Sequence, residues 1–298
     1  MKIQDILGNK KIIEIENDKI LDLELDGNCF NKLVFLNCTF GKNDIKNGKC
    51  TEIMLSNTRI QNTIFKSMNF SDCCLQQVEI QDCKIQDCYI EQLNQMDLSG
   101  ILKRCELDNI SLENQRIKFS KYEKCNINNY SNKEGVFDHC EMIESKYENA
   151  VFNETAMWGG ALVSCTLCEC VFQSARFRKM NVEKGRFESC KFNNYDIDQC
   201  ILNKTEIIGG EFCDLLLEES TIENVDFSDS IFKNVIFRNC KMDSNILENT
   251  MFENVVFENC RIEWTDFSAG WIKNVSFRDC ILEDVYFSEE QYDGYRYI

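Results

Sequence analysis

The 298-residue chain has no proline, one histidine and no run of 18 apolar residues. Cationic side chains are scarce as well: 33 Lys and Arg stand against 50 Asp and Glu, a net charge of −17. Each shortage removes a class. Phosphate neutralisation needs a basic face, so direct nucleic-acid binding is disfavoured. A transmembrane helix needs a longer apolar run than any present, so no membrane span is expected. The opening MKIQDILGNKK lacks the apolar stretch of a signal peptide, which makes a cytoplasmic protein the expectation. In that compartment the 19 cysteines are expected as thiols, not as a disulfide framework. Average usage would place about 15 prolines in a chain this long. Their complete absence calls for a structural reason.

What the chain does contain is a five-residue period. From Leu102 to Tyr292 every fifth residue is apolar except Asn132. A second register runs from Phe30 through Phe35, Phe40 and Ile45 to Ile90. Together the two registers hold 51 apolar residues in 52 positions, against a 44% background, so chance is excluded. They also take 20 of the 21 phenylalanines, Phe119 being the exception. Two places before each large residue sits a small one, and 14 of the 19 cysteines fall there, among them Cys140, Cys200, Cys240, Cys260 and Cys280. The unit is small, any, large apolar, polar, polar.

Five matches neither the 3.6-residue turn of a helix nor the two-residue alternation of a flat strand. Within a unit the small and large residues are two apart, so both point inward in strand fashion. The polar pair then turns the chain. Four corners close a coil of twenty residues, and coils stack at about 4.8 Å. Nearly every backbone N–H is then needed between coils, which explains the missing proline.

Segments such as NVDFS, NVIFR, NVVFE and ENCRIE resemble the pentapeptide-repeat proteins, whose consensus is A(D/N)LXX. The resemblance covers roughly residues 28–292. It implies an all-β fold, a right-handed quadrilateral β-helix, here of about 13 coils from four units per coil. The reading divides the chain into an N-terminal cap (1–27), one β-helix (28–292) and a C-terminal cap (293–298). The register slips by two residues between Ile90 and Leu102, an insertion at 91–101 that is either a partner-binding loop or a tolerated bulge. A weaker disturbance lies at 118–135, where Tyr130 takes a small-residue position and Asn132 a core position.

Chemistry is thinly represented. His139 falls two places after a core position and should face outward without a partner histidine. In CTLCEC the repeat turns Cys165 and Cys170 inward and Cys168 outward, which opposes the one-sided sulfurs of a metal or redox CxxC. Cys240, Cys260 and Cys280 should stack on one wall, where either a metal or disulfide reading applies or, as favoured here, buried cysteine serves as a small hydrophobe. No catalytic residue, metal site or cofactor is expected, and the chain reads as a non-enzyme.

Sorted by face, the outward charges are uneven. One face collects Glu106, Asp108, Glu148, Glu169, Glu188, Glu206, Asp226, Asp229, Glu248, Asp266 and Glu289, against Lys146 and Arg186 alone. Such a stripe either attracts a partner with a basic surface or serves solubility. Two adjoining walls carry an apolar patch expected to be exposed, Ile231, Met251 and Trp271 on one and Leu216, Ile236 and Val256 on the other. This is a homodimer seam or partner contact, or else wall residues sheltered by long neighbours. The leading functional reading is a rigid acidic scaffold for protein–protein interaction. The alternative implied by the resemblance is a DNA mimic that binds a type II topoisomerase, gyrase. Seventeen charges over about 60 Å give about one per 3.6 Å, half as dense as duplex DNA at one per ~1.7 Å.

Overall fold

The computed structural model describes the strands between 13 and 297 in backbone and, without interruption, residues 116–288; side chains are described for 119–288 and for Leu102, Leu107 and Ile117. The chain forms two compact units, 1–146 and 147–298. Both are built of short parallel strands, and no helix occurs among the described residues.

In the C-terminal unit, residues twenty apart are partners. Phe187 lies beside Ile207, Phe192 beside Phe212, Phe212 beside Phe232 and Phe257 beside Phe277. Each twenty residues lay one strand segment on each wall, centred on a large apolar residue; Lys191–Asp198, Glu211–Glu218 and Ile231–Arg238 run across two walls, and isolated bridges at Asp226, Ile246 and Asp266 replace a strand on another. In the N-terminal unit the same spacing joins Ile13 to Leu33, Phe65 to Ile85 and Ile117 to Phe137. The quadrilateral coil expected from the period is therefore the architecture of both units.

The slip near 91–101 has a defined form. Ile80 pairs with Leu102 and Ile90 with Leu112, twenty-two apart. Leu98 pairs with Ile117, nineteen apart. Three extra residues thus precede Leu98 and one is missing after it, which sums to the two-residue shift. Residues 92–96 lie outside the described part, as do 289–294 and 298; of the expected C-terminal cap at 293–298, Tyr295–Tyr297 form a strand paired with Val275–Phe277.

The large residues are the core. In the C-terminal unit Phe152, Phe172, Phe192, Phe212, Phe232 and Phe252 stack face to face, with centroids 4.5–5.1 Å apart. A second column runs through Phe237, Phe257 and Phe277 at 4.7 and 4.9 Å. Each ring meets its neighbour at the coil spacing, so one column fills one wall of the interior.

The small residues do more than fit. Cys260 donates its thiol to the carbonyls of Phe237 and Glu258 at 3.3 and 3.4 Å. Cys240 and Cys280 repeat the pattern one coil away on either side, and Cys140 and Ser145 do so in the N-terminal unit. Ser230 also accepts from the N–H of Gly210, 3.0 Å. The reading of these cysteines as small hydrophobes is thus incomplete: the position suits a small side chain with a donor, which Cys, Ser and Thr share.

The corners explain the polar pair and the missing proline. At every fifth residue from Phe119 to Asp284, Ala269 excepted, φ lies between +47° and +62°. Fourteen of these residues are Asn or Asp, the types that tolerate this region best, while Trp264 and Phe119 are the bulkiest. The corner N–H donates to a carbonyl nineteen residues on, as Glu154 to Gln173 at 2.8 Å. The residue two places later donates twenty-one back, as Val171 to Ala150 at 2.8 Å. Proline at either place would delete a bond between coils.

The disturbance at 118–135 resolves into a compensated exchange. Tyr130 and Asn132 are both buried, and the Asn132 amide donates to the Tyr130 hydroxyl at 3.2 Å. Gly135 makes the room: a Cβ there would stand 2.1 Å from Asn132 Oδ1.

Candidate functional site

Strand geometry turns three residues of each unit outward, so every wall carries parallel columns at the coil spacing. On the acidic wall of the C-terminal unit, Glu206, Asp226 and Ile246 are successive partners, and Asp266 partners Tyr286. Glu169, Glu188, Glu206, Asp229, Glu248 and Asp266 are exposed, and Glu148 and Asp226 are half-buried. Side chains of Glu106, Asp108 and Glu289 lie outside the described part.

The last three coils of this wall end in β-turns, closed by Ser230 N to Phe227 O, Thr250 N to Leu247 O and Gly270 N to Phe267 O at 3.1–3.2 Å. Asp226 Oδ1 accepts from the N–H of Ser228 at 2.9 Å, and Asp266 Oδ1 from that of Ser268 at 2.8 Å. These turns hold both carboxylates in fixed directions. At the third turn a Cβ on Gly270 would meet the Thr250 carbonyl at 2.7 Å, so only glycine fits.

Cations are distributed very differently. On the other three walls of the unit most acids meet a cation, many of them from coil to coil. Arg178 meets Asp198 at 2.9 Å and Arg238 meets Glu258 at 2.9 Å. Lys273 and Lys233 share Glu253 at 2.7 and 3.5 Å, and Lys241 meets Glu223 at 2.7 Å. Hydrogen bonding from Lys273 holds the Glu253 carboxyl below its usual range. On the acidic wall Arg186 acts this way, bonding Glu206 at 2.6 Å and Glu188 at 3.5 Å. Glu169, Asp226, Asp229, Glu248 and Asp266 have no cationic partner among the described residues.

The apolar patch divides. Ile231, Met251 and Trp271 form one ladder and are exposed, Trp271 by 74%. Leu216, Ile236 and Val256 form a second ladder but are half-buried. The Glu218–Arg238–Glu258 chain runs on that same wall. The expectation of six exposed residues therefore holds for one column of three. Sequence reasoning missed Ile246, Tyr286 and Trp264, which are exposed on or beside the acidic wall. The rule that located Met251, the residue just before a core centre, also locates Ile246 and Tyr286.

Elsewhere, His139 stands at a corner, 2.6 Å from Asp138 and stacked on Phe119 at 5.5 Å. Phe119, the phenylalanine outside the repeat, is exposed. Cys165 and Cys170 are buried, and Cys168 is half-buried. Burial pushes the Cys140 and Cys200 thiols up to about 11, which makes them poor nucleophiles. Among the described residues no group of three or more His, Cys, Asp or Glu could hold a metal, and no helix is long and apolar enough to cross a membrane.

Comparison with known proteins gives one family and a set of distant folds. No curated protein sequence matches the chain. Among solved structures, HetL from the cyanobacterium Nostoc sp. strain PCC 7120, a pentapeptide repeat protein involved in heterocyst differentiation regulation, is 13% identical. The match covers 72% of this chain and 87% of HetL with a TM-score of 0.37. QnrB1, a plasmid-mediated fluoroquinolone resistance protein, is 11% identical over 82% of this chain and 92% of its own, at 0.26. The periplasmic alginate epimerase AlgG is 8% identical over 99% and 80%, at 0.37. Likenesses this distant carry no argument about function. Residues 210–287 match the family described as pentapeptide repeat region. That match and the twenty-residue coil spacing observed in both units agree with the resemblance read from the repeat.

Proposed function

We propose that the protein is a non-enzymatic acidic scaffold whose acidic wall binds a protein partner with a basic surface. One observation carries the reading: Glu169, Asp226, Asp229, Glu248 and Asp266 on that wall have no cationic partner among the described residues, while most carboxylates on the other three walls of the same unit meet one. Solubility alone would need net charge, not its segregation. Unpaired acids held by rigid turns cost little to preorganise and speed encounter with a cationic surface. The test is capture from the native cell at rising salt, with the captured proteins identified by mass spectrometry. A basic protein released between about 0.1 and 0.5 M salt supports the reading, and capture insensitive to salt contradicts it. A gyrase supercoiling assay separates this reading from duplex mimicry, since only a mimic of DNA inhibits supercoiling at stoichiometric concentration.

A further inference from the structure

The acidic wall is not uniformly polar. Ile246 and Met251 flank the turn Leu247–Thr250 on the same coil, and both are exposed. Trp271 continues the Met251 column, on the adjoining wall, into the next coil. Asp226 and Asp266 occupy the position of Ile246 in the neighbouring coils, and Glu248 lies in the turn between Ile246 and Met251; none of the three has a cationic partner among the described residues.

We propose that this wall receives a basic amphipathic α-helix of a partner protein, laid along the stacking direction with its apolar flanks against Ile246 and Met251–Trp271. The proposal rests on the reading of the wall as a protein-binding surface and names the element that binds.

Spacing decides between a helix and a strand. The columns repeat at about 4.8 Å per coil. A helix brings a residue back to the same face about every 5.4 Å, a drift of about 0.6 Å per coil. An extended strand does so about every 6.7 Å, a drift of about 1.9 Å per coil. Over three coils the helix strays by about 2 Å and the strand by almost 6 Å, which is more than one coil. Charge excludes a second copy in this place, since each chain carries −17 and would bring the same acids face to face.

The experiment uses the full-length protein and two fluorescent peptides of about 15 residues, identical in Lys, Leu, Ala and Gln content. One places Lys and Leu at helical period and the other alternates them at strand period. By fluorescence anisotropy the helical pattern should bind at least about tenfold tighter, and its helicity should rise on binding. Trp271→Ser, and separately Glu248→Gln with Asp266→Asn, should each weaken it by about tenfold while leaving the melting curve unchanged. Met251→Ser serves in place of any variant that melts early. Equal affinities for the two peptides, both lowered by the carboxylate substitutions, would overturn the helix and leave the acidic-wall reading intact. Affinities indifferent to the carboxylate substitutions would overturn both.

Discussion

Asn132 donates its side-chain amide to the hydroxyl of Tyr130, 3.2 Å away, with both residues buried in the N-terminal unit. The large residue has moved into the small position and a polar one into the core position. Each keeps a partner for its polar atom, and Gly135 leaves the space. Gly135→Ala should therefore destabilise the protein by about 1–3 kcal/mol in urea unfolding, because Asn132 must move. Adding Asn132→Ser should recover part of that loss. A strictly additive double mutant would show that the two positions do not compete for space.

Tyr195 occupies the same kind of position in the C-terminal unit with the opposite outcome. It is packed among Phe172, Phe177 and Phe192, and its hydroxyl has no hydrogen-bond partner. Tyr195→Phe removes a stranded polar atom and should be neutral or stabilising by up to about 1 kcal/mol. Tyr130→Phe removes a partner from Asn132 and should cost about 1–3 kcal/mol. Equal effects would contradict the hydrogen-bond assignments.

Neighbouring residues on one strand test the register. Phe232 lies in the stacked column and Ile231 points outward. Phe232→Ala should cost about 3–5 kcal/mol, and Phe232→Asp should prevent folding of the C-terminal unit. Ile231→Asp should change stability by less than about 1 kcal/mol. Circular dichroism melts of the two aspartate variants check the contrast.

Alkali should destabilise the fold before acid does any comparable harm through the thiols. Burial raises Cys140 and Cys200 from 9.0 to about 11, and burial likewise raises Tyr195 well above its usual range. Below pH 9 these groups are protonated in both folded and unfolded chains, and their contribution is complete. Between pH 9 and 11 the unfolded chain releases protons that the folded chain retains, so stability falls as pH rises. Each thiol contributes on the order of 2–3 kcal/mol to that fall. Urea midpoints should be level from pH 7 to about 8.5 and drop steeply above pH 9.

Much of this was legible in the residues because a repeat multiplies one weak signal fifty times. Phe232, Phe252 and Phe257 announce the core at a glance, and the register places Ile231 outside it. The corners were less legible. Positive φ falls on Asn254 and Asn274 but equally on Glu154, Lys179 and Trp264, so hydrogen bonding between coils, not residue preference, imposes that conformation. The acidic residues could be assigned to a wall by counting, yet the decisive contrast needed side-chain positions. Arg238 reaching Glu258, with nothing comparable beside Glu248, is a relation between coils that composition does not display.

The central claim is that the acidic wall, and not the total charge, selects the partner. Two variants with four carboxylates neutralised separate the two. One carries Glu206→Gln, Asp226→Asn, Glu248→Gln and Asp266→Asn on the acidic wall. The other carries Asp196→Asn, Asp198→Asn, Glu218→Gln and Glu258→Gln, four acids of another wall that are already paired. Both retain the same net charge. In quantitative capture from the native cell, the first should lose the basic partner and the second should hold it at the wild-type level. Equal retention or equal loss by the two would contradict the account.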